Sequence, residues 1–294
     1  MKKESISKLL MAAAMVIFGT LAPFVRNINI SSGELALYRA ILASVLVGGF
    51  LLLTKQKLPI GSIKKELLLL ILSGGAMGFN WILLFTAYKY TTVSVATLSY
   101  YFAPVIVMLV CPLLFKEKLN AKQIISFLMS TVGLVLITWT SGGGKQDLLG
   151  IAFGLGAAIL YATVMLLNKF IKSITGIHRT FIQFLAAIIV LSPYVALTSG
   201  FNLGDLNGNG WSALLFVGLV HTGITYCMYF SALKELPGQQ VAILSYVDPL
   251  VAVLVSVVWL GENMTLSQII GGALILGFTL LCELPLKKKN NVKS

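Results

Sequence analysis

Apolar residues dominate this chain in long runs, and polar residues gather in short clusters between them. Ten runs are long enough to be membrane helices, since a bilayer core needs roughly 20 apolar residues per crossing. They span 8–26, 31–53, 67–88, 92–115, 121–140, 148–171, 178–198, 211–232, 239–259 and 266–285. The clearest breaks are Asn27–Gly33, Thr54–Lys65, Ser141–Asp147 and Ser199–Gly210, all rich in turn formers or charge. The first run follows Lys2, Lys3 and Lys8, as in a secretory leader. It continues to about Val25 with no convincing small-residue cleavage site, and reads as an uncleaved first span.

The pattern repeats. Shifted by 145 residues, Gly78–Ile125 falls on Gly223–Ile270 without a gap, and 12 of the 48 positions are identical. Matches among Leu, Val and Ile are expected between any two membrane segments. Gly78 with Gly223, Lys89 with Lys234, Tyr101 with Tyr246, Pro104 with Pro249, Glu117 with Glu262 and Gln123 with Gln268 are more telling. A repeat of this length means two copies of one unit. Residues 1–143 form the first and 144–294 the second, which ends in a basic tail. The glycine run Gly142–Gly144 is the joint.

Composition agrees with the pattern. The chain is 57% hydrophobic and 11% charged, too little charge to cover a soluble surface of this size. The net charge of +12 does not point to nucleic acid, because the positive residues sit at the ends of apolar runs. They orient the chain instead. With both termini cytoplasmic, the outer segments hold only Arg26, Lys89 and Lys145, and Arg39 lies within a span. The other 18 of the 22 Lys and Arg are inside. Five spans per half then make the copies inverted. The expected fold is all-α integral membrane, ten transmembrane helices in two inverted five-helix repeats. Lys116-Glu117-Lys118 is answered by Gly261-Glu262-Asn263, which keeps the acid and loses both lysines on the outer side. Cys111, Cys227 and Cys282 lie within apolar runs, and the two histidines are far apart, so no metal or other cofactor is expected.

Two inverted five-helix units, with Ala103-Pro104 to Glu117-Lys118-Leu119 in one and Asp248-Pro249 to Gly261-Glu262 in the other, resemble the EamA family of the drug/metabolite transporter superfamily. The resemblance covers nearly the whole chain. It implies an alternating-access carrier with a central cavity lined mainly by helices 1, 3, 4, 6, 8 and 9, helices 5 and 10 being peripheral. It supplies no substrate.

Several residues are candidates for that cavity. Pro104 and Pro249 lie mid-span and free the carbonyls of Tyr100 and Ser245, so they are candidate kinks. Asp248 is the one acid near the midplane. It is suited to a proton or a cationic group, or to structural pairing with an arginine. Its repeat partner is Ala103. Arg39, in the outer part of helix 2, is placed to snorkel outward, pair with an acid on another helix or hold a substrate carboxylate; Glu34, five residues away, is not an ideal same-face neighbour. Glu117 and Glu262 are expected to bond the first-turn amides of helices 5 and 10 as structural helix-exit acids. Tyr101 with Thr97, and Tyr246 with Pro249, share helix faces. Trp81, Tyr226 and Asn80 complete the substrate candidates, with Thr225 at the depth of Asn80.

The expected function is a secondary transporter that exports a small organic metabolite, an amino acid or an amphipathic or cationic compound, across the plasma membrane. Uptake of a sugar or quaternary amine is the alternative. A lipid-modifying enzyme is a remote one, since clustered His, Asp or Glu near an interface is missing. The partners expected are a small-molecule substrate and the lipid bilayer, with the protein a monomer or homodimer.

Overall fold

A computed structural model describes residues 2–115, 120–140 and 145–284. Glu117, the glycine joint and the basic tail lie outside the described residues. Among those described, all regular structure is helical and forms ten spans in two halves. In the first half α1 runs Lys3–Arg26, α2 Ser32–Leu53, α3 Ile60–Tyr90, α4 Val93–Phe115 and α5 Ala121–Thr140. In the second, α6 is Lys145–Phe170, α7 Gly176–Thr198, α8 Gly208–Leu233, α9 the pieces Gly238–Ser245 and Val247–Val258, and α10 Leu266–Glu283. The predicted break Thr54–Lys65 is shorter than expected, because α3 begins at Ile60. Its polar lead-in is anchored by Glu66, whose carboxylate accepts from the Lys172 and Ser173 amides at 2.9 and 3.1 Å.

Equivalent helices of the two halves meet antiparallel, which is what inversion requires. In α2 and α7, Ser31 before the start of one bonds Ser199 after the end of the other at 2.9 Å, and Gly48 near the other end faces Phe181. In α4 and α9, Ser94 bonds Ser256 and Tyr101 bonds Asp248. In α5 and α10, Gly133 and Gly271 lie backbone to backbone, while Lys122 near the start of α5 reaches the Leu284 carbonyl after the end of α10. A methyl on Gly78 would stand 2.9 Å from Leu191, and one on Gly223 would stand 3.0 Å from Leu46. Leu46 and Leu191 are themselves 145 positions apart, so the repeat in sequence is a two-fold in space. The repeated glutamines have a local reason. Gln123 with Asn120, and Gln268 with Thr265, form reciprocal side-chain-to-backbone boxes that start α5 and α10.

Burial runs opposite to a soluble protein. Leu53, Leu113, Trp139, Leu197 and Val258 are exposed on the outside, while Glu34, Asn80, Gln183, His221 and Thr222 are buried. In lipid there is little hydrophobic drive between helices, so close packing of small residues supplies the attraction. Gly74 and Gly78 bring α3 against α7, Gly154 brings α6 against α4, and Gly150 brings α6 against Thr91 in the α3–α4 connection.

Candidate functional site

Four helices are irregular at mid-depth, and the irregularities converge. α1 is interrupted between Gly19 and Leu21, α4 at Tyr101–Phe102, and α9 at Tyr246. α8 widens to i→i+5 turns over Phe216–Ile224. Each interruption precedes a proline. Pro23, Pro104 and Pro249 stand second or third in the piece that follows. There a helix has unsatisfied amides in any case, so the missing N–H of proline costs little. The freed polar backbone must meet protein or a cavity. Tyr100 and Ser245, whose carbonyls the prolines release, both line a cavity of about 380 Å³ between the halves.

Asp248 lies in that cavity, in the first turn of the second piece of α9, where the helix N-terminus favours a carboxylate. Tyr101 donates its hydroxyl to it from α4 of the other half. Gly19 of α1 packs directly on this point, since a Cβ there would lie 2.6 Å from the Asp248 carbonyl. Three broken helices are thus fastened around one acid.

Arg39 supplies the opposite charge. It is buried, and its Nε donates to Thr222 Oγ1 at 2.6 Å. Thr222 is held in turn by the Val217 carbonyl five residues back, a bond that exists because α8 is widened there. The guanidinium lies over the Trp81 ring, 4.5 Å from its centroid. Among the described residues no carboxylate is within ion-pair distance of Arg39. Arg39 therefore does not snorkel outward, and it does not pair with Glu34. Glu34 is fully buried at the outer end, accepting from the Ser31 and Asn202 amides.

The walls are aromatic. Tyr100 stacks on Tyr161, with centroids 5.3 Å apart, and meets Tyr101 edge-on. Tyr226 packs edge-on against Phe184, which in turn contacts Trp81. Asn80 lines the cavity while its amide donates to the Ala157 carbonyl at 2.6 Å, tying α3 to α6. Toward the inner side the lining continues to Asn168, Arg179, Thr180 and Gln183. Gln183 donates to Ser73 and Asn168, and Arg179 to the Asn168 carbonyl.

The outer side is shut. Arg26 at the end of α1 pairs with Glu262 at 2.6 Å and donates to the carbonyls of Tyr88 and Thr91. Glu262 also accepts from the Val93 amide at 2.8 Å and from Ser256, which is bonded to Ser94. Beside this network Phe24 stacks on Phe216, with Trp259 edge-on and His221 behind.

Seven of the eight residues proposed from sequence to contact substrate line the cavity: Arg39, Asn80, Trp81, Thr97, Tyr101, Tyr226 and Asp248. Tyr246 does not. It packs with Leu98, Ile137 and Ile275 toward the α5–α10 side. The reason is the asymmetry of the repeat: Tyr101 turns toward Asp248, whereas the equivalent of Asp248 on the other side is Ala103. Thr225 turns its hydroxyl to the Val220 carbonyl and is also outside the lining. Neither proline lines the cavity, although both adjoin the breaks that do. Glu262 is corrected as well. The start of α10 is capped by Thr265 and Gln268, and Glu262 serves the first turn of α4 and Arg26 instead. Sequence reasoning missed Gln183, Asn168 and the place in the lining of Arg179, one of the 18 inner positive charges. It also missed Pro23, whose place inside an apolar run was a readable signal. The lining comes from α1, α2, α3, α4, α6, α7, α8 and α9, while α5 and α10 contribute nothing. Participation of α2 and α7 goes beyond the six helices expected.

Comparison with known proteins follows the same architecture. The EamA-like transporter family matches residues 5–139 and again 148–282. A protein of Bacillus subtilis (strain 168) named "Uncharacterized transporter YxxF" is 30% identical over 294 residues, covering 99% of this chain and 94% of that one. An uncharacterized transporter of Archaeoglobus fulgidus is 27% identical over 270 residues, covering 90% and 92%. A solved crystal structure superposes on 94% of this chain and 96% of its own with a TM-score of 0.65, at 18% identity, a likeness of fold alone.

Proposed function

The chain belongs to the EamA-like transporter family and is a multi-pass membrane transporter rather than an enzyme, and from that premise we propose that its cargo is a zwitterionic, amphipathic metabolite of the amino-acid class, exported across the plasma membrane by alternating access. One observation carries the reading. An aromatic-walled cavity sets buried Arg39 and half-buried Asp248 around its middle, neither in an ion pair among the described residues, with a second cation, Arg179, farther along its inner end. A carboxylate suits the guanidinium fork, and an ammonium suits Asp248 and the surrounding rings. The size, about 380 Å³, falls within the range of small-molecule sites. A neutral sugar would leave both charges unmatched, and a quaternary amine would leave Arg39 unmatched. The lining extends toward the lysine-rich side while the opposite side is closed, so the cavity is placed to load from the cytoplasm, as export requires.

The test is thermal stability of the purified protein with L-phenylalanine, phenethylamine or 3-phenylpropionate. At 100 times its dissociation constant a ligand stabilises by about 2.7 kcal/mol. The zwitterion is expected to raise Tm most, and Arg39→Gln is expected to erase its advantage over phenethylamine. Stabilisation by choline or a neutral sugar, with no response to amino acids, overturns the reading. Loss of function in Asp248→Asn accompanied by an unchanged preference for the zwitterion would assign the acid to coupling instead of recognition.

A further inference from the structure

A second recess lies on the outer side of the molecule. It measures about 680 Å³ and is lined by the α1–α2 connection, by Phe85, Tyr88 and Lys89 of α3, and by Asn202 and Asp205 of the α7–α8 connection. Glu34 and Arg26 complete a wall that carries both signs of charge. The central cavity and this recess have one lining residue in common, Tyr88. Leu84, one turn earlier on α3, lines the cavity, whereas Phe85 lines the recess.

Tyr88 is held on both sides. Its ring is buried, and its hydroxyl stands 3.5 Å from Thr97 Oγ1 in the cavity wall. Its carbonyl accepts from Arg26, the residue that pairs with Glu262. Arg26 thus ties the Tyr88 backbone to the outer closure, while the Tyr88 side chain stands between the two spaces. The competing outer route, between α1, α8 and α9, is bordered by Phe24 stacked on Phe216, with the exposed Trp259 edge-on to Phe24.

We propose that the outer recess is the outer half of the transport path and that the Tyr88 side chain is the door between it and the central cavity. This rests on the alternating-access reading but is independent of what is carried.

The experiment uses single-cysteine reporters in whole cells, labelled from outside by the impermeant cation 2-(trimethylammonium)ethyl methanethiosulfonate. The reporters carry Cys111→Ser, Cys227→Ser and Cys282→Ser, and labelling is read against that cysteine-free parent. Asn29→Cys in the recess is expected to label rapidly, and Leu84→Cys slowly. Adding Tyr88→Ala should speed labelling of Leu84→Cys at least tenfold, and Trp259→Ala should not. Met77→Cys, also on the cavity side of α3, is a second reporter if Leu84→Cys folds poorly. The proposal is overturned if Tyr88→Ala leaves both reporters slow, if Trp259→Ala speeds them equally, or if Asn29→Cys does not label. No cargo takes part in the reaction, so its failure is distinct from failure of the zwitterion assignment.

Discussion

Glu262→Gln isolates what holds the outer side shut. The carboxylate takes three hydrogen bonds, from Arg26, the Val93 amide and Ser256, and thereby joins α1, α4 and the α9–α10 connection. The amide keeps the shape and removes the charge. A hydrogen bond to a charged group contributes roughly 1 kcal/mol more than a neutral one, so three give about 3 kcal/mol. The Arg26 side chain is 33% exposed, so solvent screening reduces its share. The expected loss is about 2 kcal/mol, specific to the state with the outer side closed. That corresponds to a shift of roughly 30-fold toward the outward-open state. Spin labels at Asn29→Cys and Asn263→Cys, read by double electron–electron resonance, report the separation of the outer ends. Arg26→Gln should produce a similar shift, and the double substitution little more than either alone, because the two share one interaction. Distance distributions unchanged in all three variants would refute the assignment of this network as the outer closure.

Other expectations follow from single contacts. Tyr101→Phe removes the hydroxyl that holds Asp248 and should weaken cargo binding several-fold in a thermal-shift titration, whereas Tyr246→Phe should leave affinity unchanged. Gly19→Ala sets a methyl 2.6 Å from the Asp248 carbonyl and should destabilise by about 1–3 kcal/mol, seen as a lower Tm. Gly49→Ala meets nothing within 4 Å and should leave Tm the same or higher. Asp248→Asn should abolish transport in a proteoliposome flux assay and flatten whatever pH dependence the parent shows. Near-normal flux with the parent profile would remove Asp248 from the mechanism.

Length and hydropathy were enough to locate the spans. The predicted 92–115 and 178–198 differ from Val93–Phe115 and Gly176–Thr198 by two residues or fewer. Apolar length is a property of one helix and can be read from one segment. Which way a residue points depends on its neighbours, and there the reading divided. Tyr101 and Tyr246 are equivalent in sequence, yet only one faces the cavity, because the choice is made by the residue across the interface. Arg39 lies in the outer part of α2, where its length alone would let it snorkel. It turns inward because Trp81 offers a ring face and the widened turns of α8 offer Thr222. Neither is visible from α2 alone. Glu262 was misread for a related reason: a local cap was assumed, while a long-range cation and an amide from α4 were available. The capping boxes at Asn120–Gln123 and Thr265–Gln268 show the contrast, since a purely local motif is legible wherever it is looked for.

The antiparallel contact of α5 with α10, where Gly133 meets Gly271, stands apart from the cavity. It joins the halves without taking part in what passes between them. Two separate identical subunits, inserted in opposite directions, would make the same contact, but they would also be bound to identical chemistry at positions 103 and 248: two acids facing one passage, or none. Joining the subunits in one chain releases that constraint. The single carboxyl group opposite Tyr101 is an arrangement that a pair of identical subunits cannot hold.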